Sequence, residues 1–265
     1  MFGDASQVIA FSTTQAGLVY FVINNQNVYA SQSFGQSATP LSGWPAFNRV
    51  VTSPATTANW LYGLHPYYTC TASSAVTYGE CQDLRYSSTG GQKWDTARYT
   101  GGVCPYVAAV AVNPISPNIV VLACFTKSGV EIFQSTDYGT DFAPTTYVVA
   151  SDRRARGNDY AALFRSIVPN ADLLKTNAAL AFYAYPTDLE YNPSPPTGQN
   201  PALILTTSRG GAVSTDDGAS WTTINGNAIA TLWTRVAWAN GYAFIATRGQ
   251  GVLMAPVQTA SSTSR

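Results

Sequence analysis

The chain is built from short runs of apolar and β-branched residues, each followed by a polar or glycine-rich turn. Clear examples are the runs 106–112, 119–123, 202–207 and 242–246. Runs of about four to eight such residues between turn signals indicate strands, and their succession is typical of an all-β protein. The segment 151–186 differs, because its apolar runs 160–167 and 173–180 fit a strand or a helix. The pattern therefore predicts antiparallel β-structure with one irregular region.

An eight-residue pattern, Ser-x-Asp-x-Gly-x-x-Trp, closes several of these strand groups. One copy is intact, at Ser214, Asp216, Gly218 and Trp221. The weaker copies are Ser135, Asp137, Gly139 and Phe142; Ser87, Thr89, Gly91 and Trp94; and Ser31, Ser33 and Gly35 with Ala38 in the aromatic position. We expect a tight turn whose Ser and Asp side chains bond nearby backbone groups, while Gly takes a positive φ. The aromatic residue is expected to pack between neighbouring sheets.

The spacing of the pattern predicts a repeat protein. The leading serines lie 56, 48 and 79 residues apart, and the last step is close to two periods of about 40, which is typical of four-stranded propeller blades. The sequence thus predicts one β-propeller domain over residues 1–265 with six four-stranded antiparallel blades, within a range of five to seven. The expected blades are 7–45, 48–98, 104–148, an irregular 151–186, 187–228 and 232–258, before a polar tail at 259–265.

The pattern resembles the Asp-box, or BNR repeat, of bacterial neuraminidases (sialidases), sortilin-type receptors and xyloglucan-degrading propeller enzymes. Asp137, Tyr138 and Gly139 followed by Phe142 are most similar to the sortilin form. In these families the box is a structural element, so the resemblance implies a β-propeller and leaves activity open. We therefore interpret Asp137 and Asp216 as turn residues and not as catalytic acids.

Composition favours a protein that works outside the cytosol. Charged residues make up 11% of the chain against about 25% in typical domains, and the formal net charge is zero. The charge pattern of a general nucleic-acid binder is therefore absent. No apolar run approaches the roughly 20 residues of a membrane span. We expect an extracellular or cell-surface protein with no cofactor.

The four cysteines agree with an oxidising compartment. Three pairings are open, of which we favour Cys70 with Cys81 and Cys104 with Cys124, because each pair flanks one segment that a bridge would restrain. A zinc site is the rival interpretation. It has little support, because no Cys-x-x-Cys pair exists and the only histidine, His65, sits in a tyrosine-rich stretch and not in a cluster of cysteines. We expect no metal.

The last strand group raises the question of how the final sheet is completed. A propeller normally takes a strand from the other terminus for this purpose, and Val8 to Ser12 is one candidate donor. The alternative is that the chain is a segment of a larger propeller whose edges another chain or copy covers. Exposed edges favour assembly.

Loops between second and third strands are expected on the face opposite the boxes, where propellers usually bind ligands. One cation recurs there, at Lys127, Arg209 and Arg248. Such cations attract carboxylate or sulfate groups through charge-assisted hydrogen bonds. Together with Trp233 they suggest a sugar-binding face, the alternatives being solvated hairpin tips and a tryptophan that fills a gap between blades.

Candidate catalytic residues are few. Glycosidases of the usual type need two carboxyl groups a few ångströms apart, and Asp188 and Glu190 share one face of a predicted strand. Arg165, in the run Phe164 to Pro169, resembles the arginine of the neuraminidase Phe-Arg-Ile-Pro motif, although two extra residues interrupt the motif. Capping or solvated roles are the alternatives for all three.

These observations predict an Asp-box propeller that binds a glycan or a protein partner. The alternatives are a glycoside hydrolase of the sialidase or xyloglucanase type, and a structural subunit of a filament, surface layer or virion that assembles with itself. An inward carboxylate pair would favour the hydrolase, a basic and aromatic face the glycan binder, and extensive contacts between copies the structural subunit.

Overall fold

The computed structural model describes residues 9–11, 18–23, 27–41, 47, 49–52, 60–67, 81–100, 104, 106–126, 129–145, 186–207, 210–224, 233–247 and 251–256. These residues form strands and turns, and none of them is helical. The chain divides into two compact units, residues 1–127 with 132–144, and residues 128–131 with 145–265.

Two sheets belong to the first unit. One has four strands in the order β1-β2-β3-β4, namely Ile9–Phe11, Val19–Ile23, Asn27–Ser31 and Thr39–Pro40. The other has nine strands in the order β5-β6-β7-β10-β11-β12-β13-β9, with β8 paired to β7. Its strands β5 to β13 are Arg49–Thr52, Leu61–Tyr67, Cys81–Ser87, Asp95–Thr96, Arg98–Tyr99, Tyr106–Val112, Val120–Thr126, Gly129–Ser135 and Asp141–Pro144.

The nine-stranded sheet consists of two antiparallel meanders, β5–β8 and β10–β13, which are joined by parallel pairs. Tyr106 of β10 pairs with Gln82 of β7, and β13 pairs with β9 through Asp141 and Arg98. The main apolar core of this unit lies between the meanders, where Leu64 and Leu84 pack with the buried residues of β10 and β11. Successive side chains of a strand point to opposite faces of the sheet, so β6 also contributes to a second apolar cluster. In that cluster Leu61 contacts Leu18, Tyr20 and Phe47.

Two more sheets lie in the second unit. The first has the order β14-β15-β16-β17, and its strands are Pro186–Tyr191, Leu203–Thr207, Gly210–Ser214 and Thr222–Thr223. The second has three strands, β18-β19-β20, which are Trp233–Ala239, Tyr242–Thr247 and Gly251–Pro256. A tight turn at Asn240 and Gly241, with φ values of 50° and 77°, joins β18 to β19. Ile204, Trp233, Val236, Ala243 and Ile245 form the core between the two sheets.

Three strands that begin a meander carry an irregularity. The register shifts between Val107 and Ala109 in β10, between Pro186 and Asp188 in β14, and between Trp233 and Arg235 in β18. Such bulges leave backbone groups unpaired within their own sheet. Those groups are available to side chains of the neighbouring sheet.

The structure corrects one sequence expectation about the N-terminal strand. Residues 9–11, from the candidate donor segment for the last sheet, pair with β2 as the first strand of the β1–β4 sheet. Among the described residues, β20 therefore has a strand neighbour on one side only. The predicted blade boundaries and blade number stay predictions, and 151–185 of the irregular segment lie outside the described residues.

The expected bridge between Cys104 and Cys124 is confirmed. The two Cα atoms are 5.6 Å apart, and both residues belong to the core of the first unit. The other expected pair includes Cys70, which lies outside the described residues. Nothing in the described part of the chain has the length and hydropathy of a helix that crosses a membrane.

Replacing Cys104 and Cys124 together by Ala is expected to lower the free energy of unfolding by about 2–4 kcal/mol, because the bridge closes a separation of 20 residues and restricts the unfolded chain. Urea unfolding followed by tryptophan fluorescence, without reductant, measures the change. A loss below about 1 kcal/mol would contradict the prediction.

Candidate functional site

Four turns follow the third strand of a meander and share one hydrogen-bond pattern. We call them Ser-x-Asp turns and define each by its first residue: Ser31, Ser87, Ser135 and Ser214. Each of these serines is 1% exposed. Its Oγ accepts the backbone N–H of the residues two and four positions later, at 2.8–3.3 Å. The turn at Ser31 thus forms the same bonds as the intact copy.

The third residue of the turn is a second acceptor. Ser33, Thr89, Asp137 and Asp216 each accept the backbone N–H four positions later, at 2.8–3.0 Å. Burial alone would raise the pKa of Asp137, but hydrogen bonds from Ser135 and nearby groups outweigh it and hold the pKa below its usual value. In Asp216, burial is outweighed by hydrogen bonds led by that of Ser220, which also lower the pKa. Both carboxylates are therefore ionised structural acceptors.

The fourth residue of each turn has a left-handed backbone. Phe34, Gly90, Tyr138 and Asp217 have φ values of 53°, 65°, 63° and 56°. In the third turn this conformation places the Tyr138 ring on Trp60, with centroids 5.0 Å apart and planes 12° from parallel. The Tyr62 hydroxyl donates to the Tyr138 carbonyl oxygen at 3.1 Å. The following Gly139 lies so close to Tyr62 that a Cβ would come within 2.8 Å of the ring.

Tyr62 stays protonated in this contact. Its burial, and then the neighbouring Tyr138 and Asp137, raise the pKa of the hydroxyl well above its usual value. The turn of the β10–β13 meander is thereby fastened to the aromatic end of the β5–β8 meander. This geometry shows how a Ser-x-Asp turn packs on the meander that precedes it.

Polar side chains of one meander bond backbone groups beside the bulges of the next meander. Gln82 donates to the carbonyl oxygen of Val107 at 2.6 Å. Thr187 donates to the carbonyl oxygen of Trp233. Asp188 accepts the N–H of Val236 at 3.1 Å, and its other oxygen lies 3.7 Å from the Arg235 guanidinium.

The two candidate catalytic acids differ in exposure. The Asp188 residue is 1% exposed and is bonded to the backbone as described above, whereas Glu190 is half-buried. Trp233, a candidate sugar-stacking residue, is 3% exposed and packs in the core of the second unit. Gly211 lies against this ring, and a Cβ there would approach it to 2.8 Å. Lys127, Arg165, Arg209 and Arg248 lie outside the described residues.

The structure also brings together a polar cluster that sequence reasoning did not identify. His65 of β6 lies opposite Asp83 of β7, with 3.8 Å between the ring nitrogen and the carboxylate, and Arg85 approaches Asp83 to 3.1 Å. Burial lowers the pKa of His65; Asp83 opposes this effect and Arg85 adds to it. The strand register could have predicted this pair. Leu61 lies opposite the turn serine Ser87, and counting four positions along each antiparallel strand brings His65 opposite Asp83. In the described residues, no group of three or more His, Cys, Asp and Glu side chains is placed to hold a metal.

The three-stranded sheet exposes an apolar face, which we call the β18–β20 face. Cross-strand pairing places Ala237, Phe244 and Met254 in one row and Ala239, Tyr242 and Pro256 in the next. Tyr242, Met254 and the nearby Val252 are 40%, 60% and 63% exposed. The opposite face of the same sheet forms the core with β14–β17. The sequence signal was present, because apolar residues at successive positions of β19 and β20 supply both faces.

Comparison with known proteins was made by sequence and by structure. No family model matches the chain, and no curated protein matches it by sequence. Among solved structures, a GH74 xyloglucanase from Xanthomonas campestris is 18% identical, with a TM-score of 0.61 over 95% of this chain and 35% of that chain.

Two further structures have similar scores. YCF48 from Cyanidioschyzon merolae is 14% identical, with a TM-score of 0.56 over 95% of this chain and 66% of that chain. A chain of the nidogen/laminin complex is 10% identical, with a TM-score of 0.54 over 91% of this chain and 71% of that chain. The chain therefore has the fold of β-propeller proteins, and it spans less than two thirds of the length of the first two of these structures.

Exchanging Asp137 tests the role of the turn acceptor. Asp137→Thr is expected to keep the turn, because Thr89 fills the same position in the second turn, whereas Asp137→Ala removes the acceptor and costs about 0.5–1.5 kcal/mol at neutral pH. The pKa of Asp137 in the folded protein lies below the unfolded value of about 3.9. Its contribution to the free energy of unfolding is therefore full above the unfolded value and is lost as pH falls through the folded pKa. Thermal unfolding from neutral pH to about pH 3 should therefore show a smaller acid loss for Asp137→Thr than for the wild type. Equal stability of the two variants at neutral pH would contradict the prediction.

A second exchange separates a structural from a catalytic role for Asp188. Asp188→Ala is expected to lower the free energy of unfolding by about 1–3 kcal/mol, because the buried N–H of Val236 loses its acceptor. Asp188→Asn keeps an oxygen that can accept this N–H, so it is the matched control and should lose less stability than Asp188→Ala. Urea unfolding measures both, and a fully stable Asp188→Ala protein would contradict the structural role.

Proposed function

We propose that this chain is a β-propeller binding module whose partner is a protein. The observation that carries the proposal is the β18–β20 face, where Tyr242, Val252 and Met254 remain exposed on one surface. Isolated apolar residues are normal on protein surfaces, but contiguous apolar patches are typical of interaction sites. Aromatic residues and Met are also enriched at protein interfaces.

The low charge of the chain supports a protein partner that binds through shape complementarity and apolar contact. With 11% charged residues and no net charge, the chain has little capacity for long-range electrostatic steering. The candidate acid Asp188 has a backbone partner, which gives the hydrolase alternative less support. The nidogen/laminin complex is an example of a similar fold in a complex of proteins.

We further propose that the Ser-x-Asp turns are Asp-boxes, that the sheets are propeller blades and that the protein acts outside the cytosol. The recurring serine and acceptor geometry supports the first point, and the Cys104–Cys124 bridge supports the last, because disulfides persist in oxidising compartments.

The binding proposal is tested by changing the face without changing the core. The double variant Val252→Asp, Met254→Asp is expected to lose at least about tenfold in affinity for a purified partner from the extracellular fraction, measured by calorimetry. Ile115→Asp is the matched control, because Ile115 is 58% exposed and belongs neither to the β18–β20 face nor to a Ser-x-Asp turn. Unchanged affinity of the double variant would contradict the proposed surface. Release of sugar from xyloglucan that Glu190→Gln abolishes would favour the hydrolase instead.

A further inference from the structure

Large apolar side chains are exposed at only a few places in the described residues. They are Phe34, Ile115, Tyr138, Tyr242, Val252 and Met254. Three of them belong to the β18–β20 face, and two, Phe34 and Tyr138, are the fourth residues of Ser-x-Asp turns. The exposed apolar surface is therefore concentrated on one sheet face and on one turn position.

The first unit shows how these two kinds of surface fit together. Tyr138 stacks on Trp60, and Trp60 in turn stacks on Tyr86 at 5.9 Å, both rings lying on the face of the β5–β8 meander. The left-handed turn residue thus packs its ring on an aromatic sheet face. This contact leaves Tyr138 only 37% exposed.

Phe34 occupies the same position in the first turn without such coverage. Its φ is 53° and its side chain is 76% exposed. A bulky residue in this backbone region is strained, and the hydrogen bonds of Ser31 and Ser33 hold it there. Residues 31–38 include no charged side chain, so the turn can enter an apolar surface without burying a charge.

We propose that the Phe34 turn of one copy of this chain packs on the β18–β20 face of a second copy. The proposal rests on the proposed function, because it names the partner of the same surface. The Phe34 ring would contact Tyr242 and Met254 as Tyr138 contacts Trp60, and a thioether beside an aromatic ring is a favourable pair. The face offers a matching apolar surface. Arg235, which pairs with Ala246, supplies a charged side chain at one end of it.

The contact joins two unlike surfaces, a turn on one copy and a face on the other. Because each copy carries both surfaces, two copies can exchange turns in a closed dimer, or the contact can continue into a ring or a filament. Within the described residues β20 has a strand neighbour on one side only, so its other edge can add a strand to the contact.

The first experiment is sedimentation velocity of the full chain over a wide concentration range. The wild type and Ile115→Asp are expected to assemble, whereas Phe34→Ser and Met254→Asp should each need at least about a tenfold higher concentration. Circular dichroism and thermal unfolding establish that each variant is folded. A wild type that stays monomeric throughout would overturn the proposal.

Mixing the two variants tests the pairing of the turn with the face. Phe34→Ser keeps an intact face and Met254→Asp keeps an intact turn, so an equimolar mixture should form one-to-one dimers that grow no further. Either variant alone should stay monomeric at that concentration. Assembly of the mixture beyond the dimer, or no dimer at all, would overturn the pairing of turn and face.

The same measurements distinguish this inference from the proposed function. Binding of a different purified protein that depends on Val252 and Met254, combined with a monomeric wild type, would overturn self-assembly and leave the binding module standing. A wild type that neither assembles nor binds a different protein would overturn both the inference and the proposed function. Assembly that the Phe34 and Met254 variants do not affect would place the contact elsewhere and would also overturn the inference.

Discussion

A buried serine hydroxyl at the end of the third strand organises the structure around it. Each of these serines is 1% exposed and its hydroxyl accepts two backbone N–H groups, so a tight turn forms at a site with little access to water. The turn then fixes the left-handed residue after the second acceptor. In the third turn that residue is Tyr138, whose ring and carbonyl oxygen join one meander to the next. Local hydrogen bonds thereby determine a contact between meanders.

Polar contacts between neighbouring meanders add to the apolar packing that holds them together. Gln82, Thr187 and Asp188 bond backbone groups beside the bulges in the first strand of the next meander. These bonds specify how two meanders lie against each other, because unpaired buried groups would be costly. One side of the three-stranded sheet packs in the core of the second unit, whereas the other side, the β18–β20 face, is apolar and exposed. This difference between the two sides of the sheet is the physical basis of the binding proposal.

Sequence reasoning identified the turn residues better than the candidate site. The pattern led to Ser135, Asp137 and Gly139, whose roles depend on bonds within one short segment. It treated the Ser31 copy as weak because the acid and the aromatic residue are missing, although hydroxyl groups of Ser31 and Ser33 form equivalent bonds. It missed the pairing of His65 with Asp83, which depends on strand register. Asp188 was singled out for its charge, whereas its burial and its backbone partner depend on another sheet.

The sequence by itself determined the all-β character and the repeated turns, and it favoured the pairing of Cys104 with Cys124, because these depend on short patterns and on residues that flank one segment. Only the tertiary structure decided which aromatic rings are stacked, which acid is buried and which sheet face is exposed. The physical reason is sequence distance. Tyr62 and Tyr138 are 76 residues apart and Asp188 and Val236 are 48 apart, so their contacts depend on how whole sheets pack, which no local pattern records.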